Sequence, residues 1–118
     1  MERSTDRVLT KSLLRATELL GLSTPEVGKL LGVSERTVLC LASGKRLIGA
    51  ASKQGEFAVL IVRVFATLDG LVGRSARQRQ AWMRSYNRSL NGRPAELVQT
   101  IQGLVGVVVY LDAMRAAN

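Results

Sequence analysis

The stretch Thr24–Gly44, TPEVGKLLGVSERTVLCLASG, constrains this chain more than any other part of it. It reads as two short helices joined by a tight turn. Val27 and Leu31 fall four apart and so share one face of the first helix. Gly32 interrupts the pattern, Val33 follows, and Ser34 is placed to cap a second helix by accepting an orphan backbone N–H. Val38 and Leu41 line the inner face of that helix. Gly28 leaves room for the two helices to cross closely. These offsets describe a helix-turn-helix, a two-helix unit that must complete its core from the rest of the chain. In DNA-binding proteins built this way the second helix lies in the major groove.

The flanking segments supply that core. Asp6–Leu20 carries Leu9, Leu13, Ala16 and Leu20 at helical spacing with charged residues opposite, and Gly21 suits a left-handed C-cap. The next helix opens either with Thr24 as cap and Pro25 at its first position, or with Ser23 and Glu26 as a capping box. Lys45–Glu56 reads as a loop that Leu47 and Ile48 pin to the core. Glu56–Leu71 is a strongly apolar helix, with Phe57, Leu60, Ile61, Val64 and Leu68 on one face and Ala58, Val59, Val62 and Phe65 on others. Such a helix hides nearly all its surface, part of it between subunits, so a homodimer is expected.

Downstream, Asn91-Gly92-Arg93-Pro94 is a turn signal, and Pro94 opens a helix, Ala95–Gln102, with Leu97, Val98 and Ile101 inward and Gly103 at its end. In Leu104–Met114 the run Val107–Tyr110 favours a strand by propensity. Leu104, Val107, Val108, Leu111 and Met114 fit a helix by period. All other segments are helical, so a helix is expected. The expected fold class is all-α: a helix-turn-helix domain over residues 1–54 and a small helical domain over residues 55–118.

Composition narrows function. The chain has 118 residues, 17 of them basic and 9 acidic, and its net charge of +8 favours an anionic partner, nucleic acid or an acidic protein surface. One cysteine, Cys40, and no histidine rule out an internal disulfide and any Ser-His or Cys-His nucleophile pair, and argue against zinc. The acids are scattered singly and the glycines form no phosphate loop. The expectation is a non-enzyme with no metal and no cofactor. The longest apolar stretch, Phe57–Val72, is broken by Arg63, Asp69 and Gly70 and falls short of the ~18 clean residues of a membrane span. With a polar N-terminus lacking a signal-peptide core, the expected compartment is the cytoplasm and no membrane partner is expected.

Two surfaces emerge as candidates. The second helix of the motif would present Ser34, Glu35, Arg36, Leu39 and Cys40 to DNA, with Lys45 and Arg46 placed after it to hold phosphate. Arg36 suits bidentate reading of guanine, worth roughly 1–3 kcal/mol of discrimination. Leu39 and Cys40 offer only apolar contact, to a thymine methyl or to protein, so phosphate contacts would dominate. A helix-turn-helix used only for packing is the alternative. The second surface is the run Arg74, Arg77, Arg79, Arg84, Arg88 and Arg93, with no acid among residues 74–93 and with Trp82 and Tyr86 beside it. A solvated face is the plain reading; Arg, Trp and Tyr are also the residue types that dominate interface energies.

The second half resembles the toxin-binding domain of the MbcA/ParS/Xre antitoxin family. The matching residues are Trp82, Asn87, Leu90, Gly92, Pro94, Leu97, Gly103, Val107 and Leu111. The preceding TPEVGKLLGVSERTV with Ser43-Gly44 is similar to the family's Xre-like part, so the likeness covers roughly residues 8–114. The resemblance implies an all-helical, dimeric antitoxin that neutralises a RES-domain toxin destroying cellular NAD. Its C-terminal region would cover the toxin's active-site entrance, and the helix-turn-helix would repress the operon through operator DNA. On that basis Trp82, Asn87, Pro94 and Leu97 would shape the toxin-binding domain. Leu111, Met114, Arg115 and Asn118 would reach the active site, and Arg77, Arg84 and Arg88 would meet an acidic toxin surface. Three departures stand out: Cys40 and Leu41 replace a basic residue and a tryptophan, the tail ends Met114-Arg115-Ala116-Ala117-Asn118, and the loop Lys45–Gln54 lacks a proline. The rival expectation is a stand-alone helix-turn-helix transcription regulator without a toxin.

Overall fold

The computed structural model describes residues 2–117. Seven helices succeed one another: α1 (Glu2–Leu19), α2 (Thr24–Leu31), α3 (Glu35–Ala42), α4 (Lys53–Val72), α5 (Ala76–Arg84), α6 (Pro94–Leu97) and α7 (Ile101–Ala117). There is no strand among the described residues, only an isolated bridge between Asn87 and Gly92. The all-α expectation holds, and the ambiguous last segment is a helix. No helix among the described residues is long and apolar enough to cross a membrane.

Helix α4 is the axis, packing against α1, α2, α5 and α7. Ala58, Ile61, Val64 and Leu68 form its buried spine, joined by Leu13 of α1, Leu20 just after that helix, and Leu104, Val107 and Leu111 of α7. It begins earlier than the sequence suggests. The Ser52 hydroxyl accepts the Gly55 N–H at 3.1 Å, and Gly55 is no breaker. A β-carbon there would lie 2.4 Å from the Gly49 carbonyl oxygen, so glycine is needed for the close approach of the preceding turn. The expected boundary between residues 54 and 55 thus falls inside the first turn of α4. One face of α4 stays open in the single chain, with Val59 54% exposed.

The helix-turn-helix forms as its local signals require. Ser23 and Glu26 make the capping box, which decides between the two possible starts of α2. Gly32 ends α2 in the left-handed conformation, and Ser34 caps α3 by accepting the Thr37 N–H. Gly28 is buried at the crossing, where a β-carbon would sit 2.8 Å from the Val33 carbonyl oxygen.

The α6–α7 region corrects the sequence reading. The expected helix Ala95–Gln102 is only Pro94–Leu97, and Gly103 does not end a helix but lies in the first turn of the next. Thr100 is the local signal: its hydroxyl accepts the Gly103 N–H at 3.1 Å and its carbonyl accepts the Leu104 N–H. Ile101, expected inward, is 51% exposed, because restarting the helix at Thr100 rotates it outward.

Candidate functional site

On α3, Arg36 and Leu39 stand exposed, flanked by exposed Glu35 and half-buried Cys40. Ser34 serves as the cap, so its hydroxyl is already engaged at the N-terminal end of α3. The Cys40 carbonyl accepts the Lys45 and Arg46 N–H groups, and Gly44 takes a left-handed turn. This turn lifts the exposed Lys45 and Arg46 side chains beside the end of α3. The seven residues named for DNA thus lie on α3, its N-cap and the turn after it, with one outward cation on the helix and two after it.

The arginine run divides. Arg79 is buried, 4% exposed, with Nη1 2.7 Å from Asp69, Nε donating to the Leu19 carbonyl, and its guanidinium over the Phe65 ring. Arg84 donates to both Glu26 carboxylate oxygens, at 2.6 and 2.7 Å, and to the Gly21 carbonyl at 2.5 Å. These two side chains fasten α5 across the turn between α1 and α2, where Gln80 also lies against Gly21. Arg84, expected to meet an acidic toxin surface, instead meets an acid of its own chain. Arg74, Arg77 and Arg88 remain exposed with no acid in salt-bridge reach among the described residues.

The Arg84 clasp sets the ionisation of its partner. Arg84's hydrogen bonds hold the Glu26 carboxyl down from 4.5 to about 2, against the opposing effect of burial and with help from the Ser23 N–H. Arg84 is raised in turn, chiefly by Glu26. A carboxyl whose pKa is depressed on folding stabilises the fold above its unfolded value and loses that contribution as pH falls toward the folded value. Stability should therefore drop as pH falls from about 4.5 to about 2. With Arg84 about half exposed the loss is discounted to ~1 kcal/mol. Glu26→Gln keeps an acceptor for the capping box and removes the charge. Urea unfolding across that range should show a flatter pH dependence than the parent; equal slopes would mean the clasp carries no electrostatic stability.

Trp82, Asn87, Pro94 and Leu97, expected to shape the toxin-binding domain, are part of its frame, and so is Leu111, expected to reach the toxin's active site. Pro94 and Leu111 are fully buried, because α6 and α7 turn them toward the α4 core. Trp82 is half-buried and stacks on Tyr110, ring centroids 6.5 Å apart. Asn87 holds the 87–92 turn, accepting the Leu90 N–H through Oδ1 and exchanging backbone hydrogen bonds with Gly92. Leu97 packs beneath Gly92, half-buried. Arg77, Arg88, Met114 and Arg115 do face outward. Asn118 lies outside the described residues.

The sequence reading missed the outer stripe of α7: Ile101, Val105 and Val109, four apart and exposed. Its only signal was the helix's apolarity on every side, which a single buried face does not explain.

Residues 2–63 match the model of the antitoxin Xre-like helix-turn-helix domain, more than half of the chain, and residues 67–116 match that of the antitoxin Xre/MbcA/ParS C-terminal toxin-binding domain. The two matches meet within α4. No curated protein matches the chain. With an Xre-like helix-turn-helix followed by the toxin-binding domain along one continuous fold, the chain belongs to the Xre/MbcA/ParS antitoxin family.

Proposed function

We propose that this antitoxin neutralises a RES-type, NAD-degrading toxin by covering the entrance to its active site, and that α2 and α3 bring it to the operator of its own operon. It acts as an inhibitor and not as an enzyme. The observation that carries the toxin reading is the outward side of α7. Ile101, Val105 and Val109 leave an apolar stripe in water, and exposed Met114 and Arg115 follow in the final turns. Apolar side chains left exposed along one side of a helix mark a surface that a partner covers. Arg115 adds a cation suited to an acidic cleft, or to the phosphates of NAD held there. The exposed Arg77 and Arg88 supply further cations for an acidic toxin surface. Two such antitoxins would pair as a homodimer, for which exposed Val59 on the open side of α4 is the support. The proposed setting is the cytoplasm, where both toxin and operator are met. Residues 1–54 and 55–118 are proposed as its DNA-facing and toxin-facing halves.

Deleting Met114–Asn118 tests the tail while sparing buried Leu111 and the Asp112–Arg63 ion pair. Co-expressed with the product of the neighbouring reading frame, the truncated chain should fail to rescue growth and should still shift promoter DNA. Rescue by the truncated chain would rule the tail out. The rival, a stand-alone transcription regulator, draws on the net charge of +8; a neighbouring frame unlike a RES protein would favour it.

A further inference from the structure

Arg7 and Lys11 of α1 and Lys45 and Arg46 of the turn after α3 line one cleft of about 570 Å3. That volume lies within the range of about 300–1,000 Å3 typical of ligand sites. The cleft is held in shape by the fold. The Thr10 hydroxyl accepts the Ile48 N–H at 2.8 Å and donates to the Asp6 carbonyl, and the Asp6 carboxylate accepts the Ala50 N–H at 2.9 Å. These bonds clamp the segment after α3 onto α1, so both pairs of cations are brought to one cleft before any ligand arrives.

What sets the cleft apart is that four cations without an ion-pair partner among the described residues share one space. Arg15, Arg63, Arg79, Arg84 and Arg93 each have an acid in reach. The four cations of the cleft have none among the described residues, and Asp6, the acid lining it, is engaged by Ala50. Arg7 and Lys11 are four apart on one helix, where like charges repel and weaken the helix. Four cations against one carboxylate, that of Asp6, leave a concentrated positive charge in a preformed cleft, which favours an anion with several charges. The cleft adjoins the end of α3, being lined also by Leu41, Ala42 and Gly44.

We propose that this cleft is a phosphate-binding site that grips the backbone of duplex DNA alongside the groove entered by α3, so that α1 takes part in DNA contact through Arg7 and Lys11. The proposal rests on the DNA-binding reading above and extends it to a helix outside the motif. Phosphate contacts of this kind fix register and affinity and carry no sequence information. They complement an α3 whose exposed base-reading groups are few, chiefly Arg36 and Glu35.

The test is the salt dependence of binding between the full chain and a labelled promoter duplex, followed by fluorescence anisotropy. Each neutralised phosphate contributes about 0.9 to the slope of log affinity against log salt concentration. The double variant Arg7→Gln/Lys11→Gln should lower that slope by about 1.8 and leave the ratio of promoter to unrelated duplex affinity unchanged. Arg15→Gln, on the same helix but outside the cleft, should leave the slope as in the parent. A double variant with the parent's slope overturns the proposal while the DNA-binding reading survives. A parent that binds no duplex at low salt overturns both. Titration with a mononucleotide separates a free phosphorylated ligand from the DNA backbone: saturable binding lost in the double variant, with the duplex slope unchanged, assigns the cleft to the small ligand and overturns the DNA role.

Discussion

Arg79→Met should lower the unfolding free energy by ~3 kcal/mol, measured by urea denaturation. Methionine fills much of the arginine's stem volume, so the loss is chiefly polar. Asp69 is left without its counter-charge and the Leu19 carbonyl, at the end of α1, without its donor; the stacking on Phe65 also goes. Removing one partner of a buried ion pair costs about 3–5 kcal/mol, and the partial exposure of Asp69 puts this case at the lower end. Adding Asp69→Asn should restore a good part of the loss, since no unpaired charge then remains. A single variant within about 0.5 kcal/mol of the parent would show that Arg79 is a passenger in the core.

Gly103→Ala should be destabilising at about 3 kcal/mol or more, although alanine is the better helix former by about 1 kcal/mol. The added β-carbon would lie 2.0 Å from the Leu97 carbonyl oxygen and 2.8 Å from the Leu97 carbonyl carbon. Both are backbone atoms, so no side chain can rotate away and α7 itself must shift from α6. Gly106, one turn on, meets nothing within 4 Å, and Gly106→Ala should stabilise by about 0.4–1 kcal/mol. The opposite signs on one helix separate crowding from propensity. Two variants moving together in paired denaturation curves would dismiss the contact with Leu97.

What the sequence disclosed was whatever is written within a few residues. Ser23, Glu26, Gly32 and Ser34 act on backbone groups three or four positions away, so the helix-turn-helix and its caps were legible. The period of α4 was legible too, apart from its first turn. Gly55 and Gly103 misled because glycine as a breaker and glycine as a point of close approach look alike until the neighbouring backbone is in place. The arginines misled for a related reason. Arg79 and Arg84 find acids 10 and 58 residues away, so a run free of acids in sequence is partly neutralised in space. Leu111 and Pro94 belong to the motif that marks the toxin-binding domain, yet they mark it by building it. The α7 stripe was hidden by apolarity on all sides, which leaves no period to read.

Helix α4 carries residues of both matched regions without a break. Two binding modules on a flexible tether would engage their targets independently, with the tether's length setting how readily one follows the other. Here there is no tether. A protein seated on α7 would ride at a fixed bearing from a duplex held by α3, turned and distanced by a shared rod. Under the proposed function, whether toxin and operator are held at once would be decided by steric fit around that rod, and each added copy of the chain would have to satisfy the same fixed angle.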